Sequence, residues 1–335
     1  MKSSLSGMRF LLSCVLLLGL TGYASGQVNG TGPSDFALFT NIVNVPPEMI
    51  EPALPDFFGG FVGGVNGETT QVNLADGGDL GSFFFADAGS EVNIRGGNVG
   101  DGLGAHNGAE VNISGGTVGD DAQAFSGSTV NISGSASVGS VSATNAGSEI
   151  NISGGSVSNF TAISGGEVNV SGGSVGRLSL AGIGGQVNIS GGTLGIEFVA
   201  KSGSEVNISG GSVGDFLFAR SGSEVNISGG TIGNRFIAAA NSEVNLFGSE
   251  FSLDGLLIDN LMAGEAFTIV DRNVPLTGVL LDGSEIDFFL DNTFTANQDS
   301  FPSDATLTVT IVPEPSGFAM LSVAALIGFL MRKSS

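Results

Sequence analysis

The sequence has very few of the residues that build most catalytic and metal-binding sites. Its 335 residues include one histidine, His106, one cysteine, Cys14, and no tryptophan. These counts exclude zinc sites made of histidine and cysteine, and nucleophiles made of a Cys-His pair. His106 lies in "GAHNGAE", where nothing predicts a nucleophile elbow, and we interpret it as a solvated loop residue. Because Cys14 falls in an N-terminal apolar stretch, a chain that loses this stretch has no disulfide.

Basic residues are also scarce, since 10 lysines and arginines stand against 32 aspartates and glutamates. The formal net charge of -22 excludes nucleic acid as a partner, because its phosphates need a basic surface. The same charge favours solubility and allows cations as partners. Glycine is abundant, at 56 residues, which points to a repeat architecture if a fixed period is present.

The N-terminus has the three parts of a secretory signal peptide. A basic start precedes an apolar run at residues 10–20, and small residues at 24–26 supply a cleavage site. A signal anchor is the alternative that these residues leave open. We therefore expect residues 1–26 to be a signal peptide and the rest of the chain to be exported.

The C-terminus combines a short, mainly apolar stretch at residues 317–331 with a basic tail. Helical residues rise about 1.5 Å each, so this stretch covers only part of a hydrocarbon layer about 30 Å thick. Arg332 and Lys333 follow it, and basic residues in this position stay on the cytoplasmic side. These features predict a short transmembrane helix.

A Pro-Glu-Pro element stands just before this stretch, at Val312, Pro313, Glu314 and Pro315. Residues 312–335 resemble the PEP-CTERM sorting signal of bacterial exported proteins, which has a Pro-Glu-Pro box, a short transmembrane helix and a basic tail in this order. The resemblance implies recognition by an exosortase in the inner membrane, cleavage near the box, and delivery to the cell envelope or extracellular matrix. An ordinary C-terminal membrane anchor is the alternative.

Between the two ends, one short phrase returns throughout the chain. The stretch "GSEVNISGGSVGD" at residues 203–215 comes back as "GSEVNISGGTIGN" at residues 222–234. The asparagines of the successive copies are Asn73, Asn93, Asn112, Asn131, Asn151, Asn169, Asn188, Asn207, Asn226 and Asn245. Their spacings are 20, 19, 19, 20, 18, 19, 19, 19 and 19 residues, and this regularity predicts a repeat architecture.

Each unit contains three short extended pieces. In "EVNIS", at residues 205–209, valine and isoleucine share one face while the polar residues share the other, which is the alternation of a strand. After a Gly-Gly turn, the second piece supplies one apolar residue per unit: Val99, Val118, Val138, Val157, Val175, Leu194, Val213 and Ile232. The third piece ends in a predicted alanine column: Ala86, Ala105, Ala124, Ala162, Ala181, Ala200, Ala219 and Ala238, with Thr144 as the exception.

Three short strands and three turns per unit predict one coil of a parallel β-helix, because Gly-Gly pairs and so short a period disfavour paired helices. We therefore predict an all-β fold, a parallel β-helix (solenoid) of about ten 19-residue coils with non-repeat caps. Coils stacked about 4.8 Å apart would give a rod of roughly 48 Å.

The domain boundaries follow from where the repeat begins and ends. We assign residues 27–68 to an N-terminal cap, 69–250 to the β-helix, 251–311 to a C-terminal β cap and 312–335 to the sorting signal. Within the C-terminal cap, "PLTGVLLDGSEIDFFL" predicts a hairpin with Asp282-Gly283 at its turn. The later "ATLTVTIV" alternates like a strand.

Stacked coils place identical side chains above one another, which creates two polar columns. The first is a predicted ladder of side-chain amides: Asn93, Asn112, Asn131, Asn151, Asn169, Asn188, Asn207, Asn226 and Asn245. The second holds Glu91, Glu110, Glu149, Glu167, Glu205, Glu224 and Glu243, with Gln71, Thr129 and Gln186 in the remaining units. Carboxylates about 4.8 Å apart repel by roughly 0.9 kcal/mol in water. The glutamates form either a solvated acidic stripe or a weak divalent-cation site, and no other cofactor is expected.

Two other interpretations remain open. The "GGNVGD", "GGTVGD" and "GGSVGD" stretches end at Asp101, Asp120 and Asp215, and they look like the Gly-Gly-x-Gly-x-Asp calcium repeats of secreted bacterial proteins, with the third glycine displaced. That likeness implies a calcium-stabilised secreted module. β-Helices also include polysaccharide lyases and hydrolases, so a carbohydrate-active enzyme is an alternative by fold analogy. Against it, no insertion breaks the period, and the basic residues between the two ends look scattered.

The leading hypothesis is an exported, non-enzymatic structural or adhesive repeat protein. An exosortase would process it, and its C-terminal helix would hold it in the inner membrane before processing. The cell envelope or the exopolysaccharide matrix would be its destination. Its repeated weak contacts favour envelope polysaccharide or another copy of the chain as the partner, because many weak contacts add up through avidity.

Overall fold

The structure is a computed structural model that describes residues 43–45, 61–62, 70–258, 264–293 and 298–312. The predicted signal peptide, most of the predicted N-terminal cap and the sorting signal after Val312 lie outside the described residues. Every regular element in the described part is a β-strand. No helix in these ranges is long and apolar enough to cross a membrane.

The repeat region consists of strands, most of them between two and ten residues long. Two strands come before the regular repeat, β1 (Val43–Val45) and β2 (Phe61–Val62). The strands of the repeat are β3 (Thr70–Leu74), β4 (Asp79–Leu80), β5 (Phe85–Ala86), β6 (Ser90–Val99), β7 (Gly104–Ala105), β8 (Glu110–Val118), β9 (Ala122–Ala124), β10 (Thr129–Ile132), β11 (Ser137–Thr144), β12 (Glu149–Ile163), β13 (Glu167–Val175), β14 (Leu180–Ala181), β15 (Gln186–Ile189), β16 (Thr193–Leu194), β17 (Phe198–Ala200), β18 (Glu205–Val213), β19 (Leu217–Ala219), β20 (Glu224–Ile232), β21 (Ile237–Ala238) and β22 (Glu243–Leu253).

These strands wind as a β-solenoid, so the predicted all-β parallel β-helix is confirmed. Each strand that carries a repeat asparagine pairs in parallel with its equivalents in the neighbouring coils. In the pairing of β18 with β20, for example, Asn207 lies opposite Asn226 and Val206 opposite Val225. The ten asparagine strands from β3 to β22 therefore enclose nine turns of about 19 residues.

One coil has three sides, which we define on β18 and β19. The first side is 205–208, the second side is 212–213 and the third side is 217–219. The first two sides belong to a single strand that bends at the Gly-Gly pair, where its register with the next coil shifts. The sequence predicts separate pieces here, and they are separate only in some coils, such as β15 and β16.

The bend between the first two sides requires glycine for two reasons. Gly211 has a φ of 79°, in the left-handed region that other residues rarely adopt. A Cβ atom at this position would also stand 2.7 Å from the backbone carbonyl of Gly191 in the preceding coil. The repeated Gly-Gly pair therefore lets the strand bend while the coils stay in contact.

The inward side chains of all three sides form one apolar core. Val206 and Ala219 have no exposed surface (0%), and Ile208, Val213 and Leu217 are each 1% exposed. Burying a large apolar side chain contributes about 1.5–3 kcal/mol. Since most of this burial is against the coils above and below, a coil is stable only beside its neighbours.

The alanine column differs from the predicted one in a single coil. Ala143, and not Thr144, pairs with Ala124 in one neighbouring coil and with Ala162 in the other. Ala143 is also fully buried, at 0% exposure. The prediction of Thr144 is wrong because the spacing inside this coil is irregular: Val138 follows Asn131 by seven positions and Ala143 follows Val138 by five, where six is the usual spacing in both cases. A count of six from Val138 therefore ends on Thr144.

In six of the nine turns, a residue other than glycine with positive φ turns the chain from the second side to the third side. These corner residues are Phe83, Asp121, Leu178, Glu197, Phe216 and Arg235, with φ between 59° and 68°. Residues other than glycine seldom adopt this conformation, so the neighbouring coils must hold it. The N–H of Phe216, for example, donates to the carbonyl oxygen of Asn234 at 3.0 Å.

The C-terminal cap consists of β23 (Leu256–Leu257), β24 (Ala266–Thr268), β25 (Pro275–Leu280), β26 (Glu285–Phe289) and β27 (Thr306–Ile311). Strands β25 and β26 pair antiparallel, and Gly283 in their turn has a φ of 85°, which confirms the predicted hairpin. The predicted strand at the end of the cap is β27, which pairs in parallel with β22. Phe236, Phe288 and Phe301 pack together with ring centroids 5.2–5.9 Å apart, so the cap closes over the end of the core.

The described part of residues 27–68 already follows the solenoid pairing. Strand β1 pairs in parallel with β3 with Asn44 opposite Asn73, and β2 pairs in parallel with β5. Asn44 thus occupies the register of the repeat asparagines. Its distance of 29 residues from Asn73 differs from the period, which is why the sequence pattern misses it.

Candidate functional site

The first side presents a continuous ladder of asparagine amides. The nine predicted ladder residues and Asn73 stand in one column. The Nδ2 of each of the nine donates to the Oδ1 of the asparagine in the preceding coil at 2.8–3.2 Å. The ladder ends at the cap, where the hydroxyl of Thr308 donates to Asn245 Oδ1 at 2.5 Å. Every coil is therefore tied to the next by a side-chain hydrogen bond as well as by its backbone.

The glutamate column lies beside the ladder and supports it. An Nδ2 group carries two hydrogens, and the second hydrogen is available once the first has bonded to the neighbouring asparagine. Each of the seven predicted glutamates accepts a hydrogen bond from a ladder amide, at 2.8–3.3 Å. The carboxylates stack in register, as Glu205 does with Glu224, and they range from half-buried to exposed.

The predicted divalent-cation site falls on this same column. Within the described ranges, no group of three or more histidine, cysteine, aspartate or glutamate side chains is arranged to hold a metal ion. One oxygen of each glutamate already faces an amide hydrogen. Cation binding along the column therefore stays a prediction that needs a direct measurement.

The aspartates of the calcium-like stretches take part in contacts between coils. Asp101 Oδ1 accepts the backbone N–H of Asp120 at 2.9 Å, and Asp120 Oδ1 accepts that of Ser140 at 3.0 Å. Asp215 Oδ1 accepts the backbone N–H of Asn234 at 2.8 Å. These carboxylates fasten the corner between the second and third sides of one coil to the next.

His106 is packed between aromatic rings, so its interpretation as a solvated loop residue is wrong. Its ring stacks on Phe125 at 4.1 Å and meets the ring of Phe85 edge-on at 5.3 Å. The Nε2 atom is buried and has no hydrogen-bond partner among the described residues. In the sequence, glycine and asparagine surround the histidine, which is typical of an exposed loop. The rings that it contacts belong to other coils, so its sequence neighbours do not predict these contacts.

A column of buried serines precedes the glutamates, and the sequence analysis missed it. Ser204, Ser223 and Ser242 are only 1–2% exposed. Their hydroxyls donate to the backbone carbonyl three residues earlier, at 2.6–2.7 Å, as Ser223 does to Arg220. The repeated serine in "GSE" was the available signal, because a buried hydroxyl must find such a partner.

The third side brings together basic residues that look scattered in the sequence. We call the basic strip the surface made of Val199, Lys201, Phe216, Phe218, Arg220 and Arg235. The outward residues Val199 and Phe218 lie opposite each other in adjacent coils. The guanidinium carbon of Arg220 lies 4.8 Å from the ring centroid of Phe218, and that of Arg235 lies 4.5 Å from the ring centroid of Phe216.

The two phenylalanines of the strip also contact each other, with ring centroids 6.0 Å apart and planes 17° apart. Both rings are half-buried, while Lys201 and Arg220 are exposed. Arg177 lies at the corner between the second and third sides and forms an ion pair with Glu197 at 2.7 Å. In the described part of the chain, no carboxylate lies within 4.0 Å of the Lys201 ammonium or the Arg220 guanidinium.

Two aspartates near opposite ends of the third side have shifted pKa values of opposite sign. A hydrogen bond from Asn107 lowers the pKa of Asp87, which follows Ala86 in the first regular coil. Desolvation raises the pKa of Asp299 in the cap, although this carboxylate accepts the backbone N–H of Phe236 at 2.8 Å. The ionised form of Asp87 is therefore favoured and that of Asp299 is disfavoured, relative to an ordinary aspartate.

Of the predicted sorting residues, only Val312 is described, and its N–H donates to the carbonyl oxygen of Gly248 at 2.9 Å. Pro313, Glu314, Pro315, Arg332 and Lys333 lie outside the described residues. The chain matches no protein-family model, no curated protein and no solved structure.

Proposed function

We propose that this chain is an exported, non-enzymatic structural repeat protein, which an exosortase delivers to the cell envelope or its exopolysaccharide matrix. The observation that carries the proposal is the first side, where the asparagine amides repeat in register without a break from Asn93 to Asn245 and glutamates stand beside them in most coils. A catalytic site needs one coil that differs from the others. On this side, every coil contributes to the same stacking interaction.

The acidic residues give the non-enzymatic role further support. Carbohydrate-active β-helices use clustered carboxylates to donate and accept protons. In this chain, the seven first-side glutamates accept hydrogen bonds from the ladder amides, as Glu205 does from Asn207. The aspartates at 101, 120 and 215 accept backbone N–H groups of the next coil. These carboxylates have a structural role that explains why they recur.

The proposed mechanism is mechanical and multivalent. Coils that are tied together by the ladder and by parallel backbone pairing form a stiff support along the solenoid axis. Groups on its surface recur about every 4.8 Å. A polymer that runs along the axis meets equivalent groups many times, so weak individual contacts add up through avidity.

The sorting step is tested in the cells that make the chain. With the native sequence, we expect a shortened mature form in the envelope or matrix fraction. The P313A/E314A/P315A variant should stay full-length in the inner-membrane fraction, while the control variant S334A/S335A should be processed normally. Normal processing of the P313A/E314A/P315A variant, or a full-length native chain in the cytoplasm, would contradict the proposed route.

The role in the matrix is tested with the mature protein recovered from those cells. We expect it to be retained on the native exopolysaccharide and to release no reducing ends from that polymer. Retention should be measured with calcium and with a chelator, which shows whether the glutamate column bridges through cations. Release of reducing ends would favour the carbohydrate-active enzyme, and no retention in either condition would rule out matrix binding.

A further inference from the structure

The third side changes its charge along the rod, while the first side stays the same. The residue after the column alanine is Asp87 in the first regular coil, His106 in the second and Phe125 in the third. Near the other end, the same position is Lys201 and then Arg220. The hydrogen bonds of the Lys201 and Arg220 N–H groups to the carbonyls of the preceding coils confirm that the two are consecutive in the stack.

The strip holds its arginines in place with aromatic rings. Arg220 lies over Phe218 and Arg235 over Phe216, at 4.8 and 4.5 Å from the ring centroids. A guanidinium stacked on a ring gains about 0.5–1 kcal/mol at an exposed site and keeps its N–H donors in its own plane. Stacking therefore orders the side chain before any ligand arrives, which reduces the entropy lost on binding.

The two exposed cations of the strip are not paired with carboxylates in the described part of the chain. Lys201 and Arg220 are exposed and, among the described residues, have no carboxylate within 4.0 Å. Arg177, at the corner before the third side, is the contrasting case, because Glu197 pairs with it at 2.7 Å. In a chain with a net charge of -22, two exposed cations on adjacent coils mark a site that suits an anionic partner.

We propose that the basic strip binds the carboxylate groups of an acidic polysaccharide, with Lys201 and Arg220 as the contact residues and Phe216 and Phe218 as their supports. This inference rests on the proposed function, and it names the chemistry of the polymer and the place of contact. Lys201 and Arg220 stand on successive coils about 4.8 Å apart, so one extended chain along the solenoid axis reaches both. Guanidinium groups bind carboxylates with paired N–H donors, which gives such a polymer orientation as well as affinity.

Two features favour a polysaccharide over a second copy of the chain. Two copies with a net charge of -22 each repel one another at low ionic strength. A second copy would offer its first-side glutamates to the strip. These glutamates already accept hydrogen bonds from the ladder amides of their own chain, so the strip would compete with those amides for them. The acidic first side repels a polyanion in the same way, which confines the contact to the third side.

The test measures binding of the mature, natively processed protein to polygalacturonate, with neutral dextran as the reference polymer. The strip variant is K201Q/R220Q, which keeps polar side chains and removes two charges. Its matched control is T129E/Q186E, which lowers the net charge by the same amount at positions where neighbouring coils carry glutamate. We expect at least a tenfold loss of polygalacturonate affinity for K201Q/R220Q and less than a twofold change for the control.

Native binding should also weaken as salt rises, and dextran should not bind. Equal affinity of K201Q/R220Q and the native protein would overturn the inference, and so would an equal loss in the T129E/Q186E control. Self-association through the strip would also overturn it. Light scattering would then show a dimer of the native protein, and K201Q/R220Q would abolish that dimer.

If the native protein is retained on its matrix but not on polygalacturonate, the inference fails while the proposed function stands. A chain that never leaves the cytoplasm contradicts the proposed function itself.

Discussion

The first and third sides of the solenoid are built from the same coils but vary in different ways. On the first side, asparagine recurs in every regular coil, and its amide is bonded to the coil before it and to the coil after it. On the third side, only the inward alanine recurs, and the outward positions range from Asp87 through Phe125 to Arg220. A side chain that bonds to its own copies must stay the same, whereas one that faces solvent is free to change.

This difference separates residues that hold the rod together from residues that give it a chemical identity. The ladder explains why the sequence repeats, but it offers a ligand the same surface along the whole rod. The basic strip lies in a few coils near the C-terminal cap, where it is the feature that distinguishes one part of the rod from another. We therefore expect substitutions on the first side to change stability and substitutions on the third side to change binding.

The largest expected effect comes from the glycine at the bend between the first and second sides. In G211A, a Cβ atom would come within 2.7 Å of the Gly191 backbone, and φ is 79°. We expect a loss of about 2–4 kcal/mol in the free energy of unfolding, measured by chemical denaturation. The control is G203A, where φ is 70° but the nearest backbone atom lies 3.8 Å away, so the loss should be only about 1 kcal/mol. Equal losses in the two variants would show that contact between coils is unimportant at the bend.

A smaller loss of stability is expected from breaking the ladder in the middle of the rod. N207A removes the hydrogen bonds to Asn188, from Asn226 and to Glu205. Because these groups are half-buried and water can replace part of the bonding, we expect a loss of about 1–2 kcal/mol in denaturant unfolding.

The matched control for the ladder is S209A in the same strand, whose hydroxyl makes only a 3.4 Å contact with a backbone carbonyl. Its free energy of unfolding should change by less than about 0.5 kcal/mol. A loss in S209A as large as that in N207A would show that the ladder has no special role.

The aromatic supports of the strip should affect binding moderately and stability very little. F216L/F218L keeps apolar side chains and removes both rings that lie under the arginines. We expect polygalacturonate affinity to fall about threefold, which corresponds to the loss of a weak ordering interaction. Stability should change by less than about 1 kcal/mol, since both rings are only half-buried. Unchanged affinity would mean that the rings do not order the arginines.

The smallest effect is a difference in pH dependence between the two ends of the third side. The pKa of Asp87 is lowered from 3.8, so its contribution to stability is present above that pH and is lost as the pH falls. The pKa of Asp299 is raised from 3.8, so its contribution is largest at low pH and is lost as the pH rises through the raised value. Between pH 3 and pH 7, the native protein should gain stability relative to D87N and lose it relative to D299N. If the two differences in the free energy of unfolding, native against D87N and native against D299N, changed with pH in the same direction, the assigned pKa shifts would be contradicted.

The sequence predicts the solenoid because the residues that stack on one another in the structure recur about every 19 positions along the chain. The asparagine spacing alone places Asn207 opposite Asn226, and the alternation in "EVNIS" predicts which side chains are buried. The 19-residue period from Ala124 leads to Ala143, but a count of six positions from Val138 leads to Thr144, because the spacings inside this coil differ from those of most other coils. The period between coils therefore places this residue correctly where the spacing within the coil does not.

The functional surface is harder to predict because its residues come from different coils and different positions within them. Lys201 and Arg220 share one position, but Arg235 lies at the positive-φ corner of the next coil and reaches back to Phe216. In the sequence, these residues look like isolated charges. Only the winding of the chain brings them together, and only the structure shows that Arg177 has a carboxylate partner while Lys201 and Arg220 have none within 4.0 Å among the described residues.

The measurement that tests the separation of roles most directly is polygalacturonate binding by N207A and K201Q/R220Q, at a temperature where both are folded. We predict that N207A, despite its lower stability, binds like the native protein. K201Q/R220Q should unfold like the native protein and lose at least tenfold in affinity. If N207A loses affinity while K201Q/R220Q retains it, the contact lies on the ladder side, and the assignment of stability to the first side and binding to the third side is wrong.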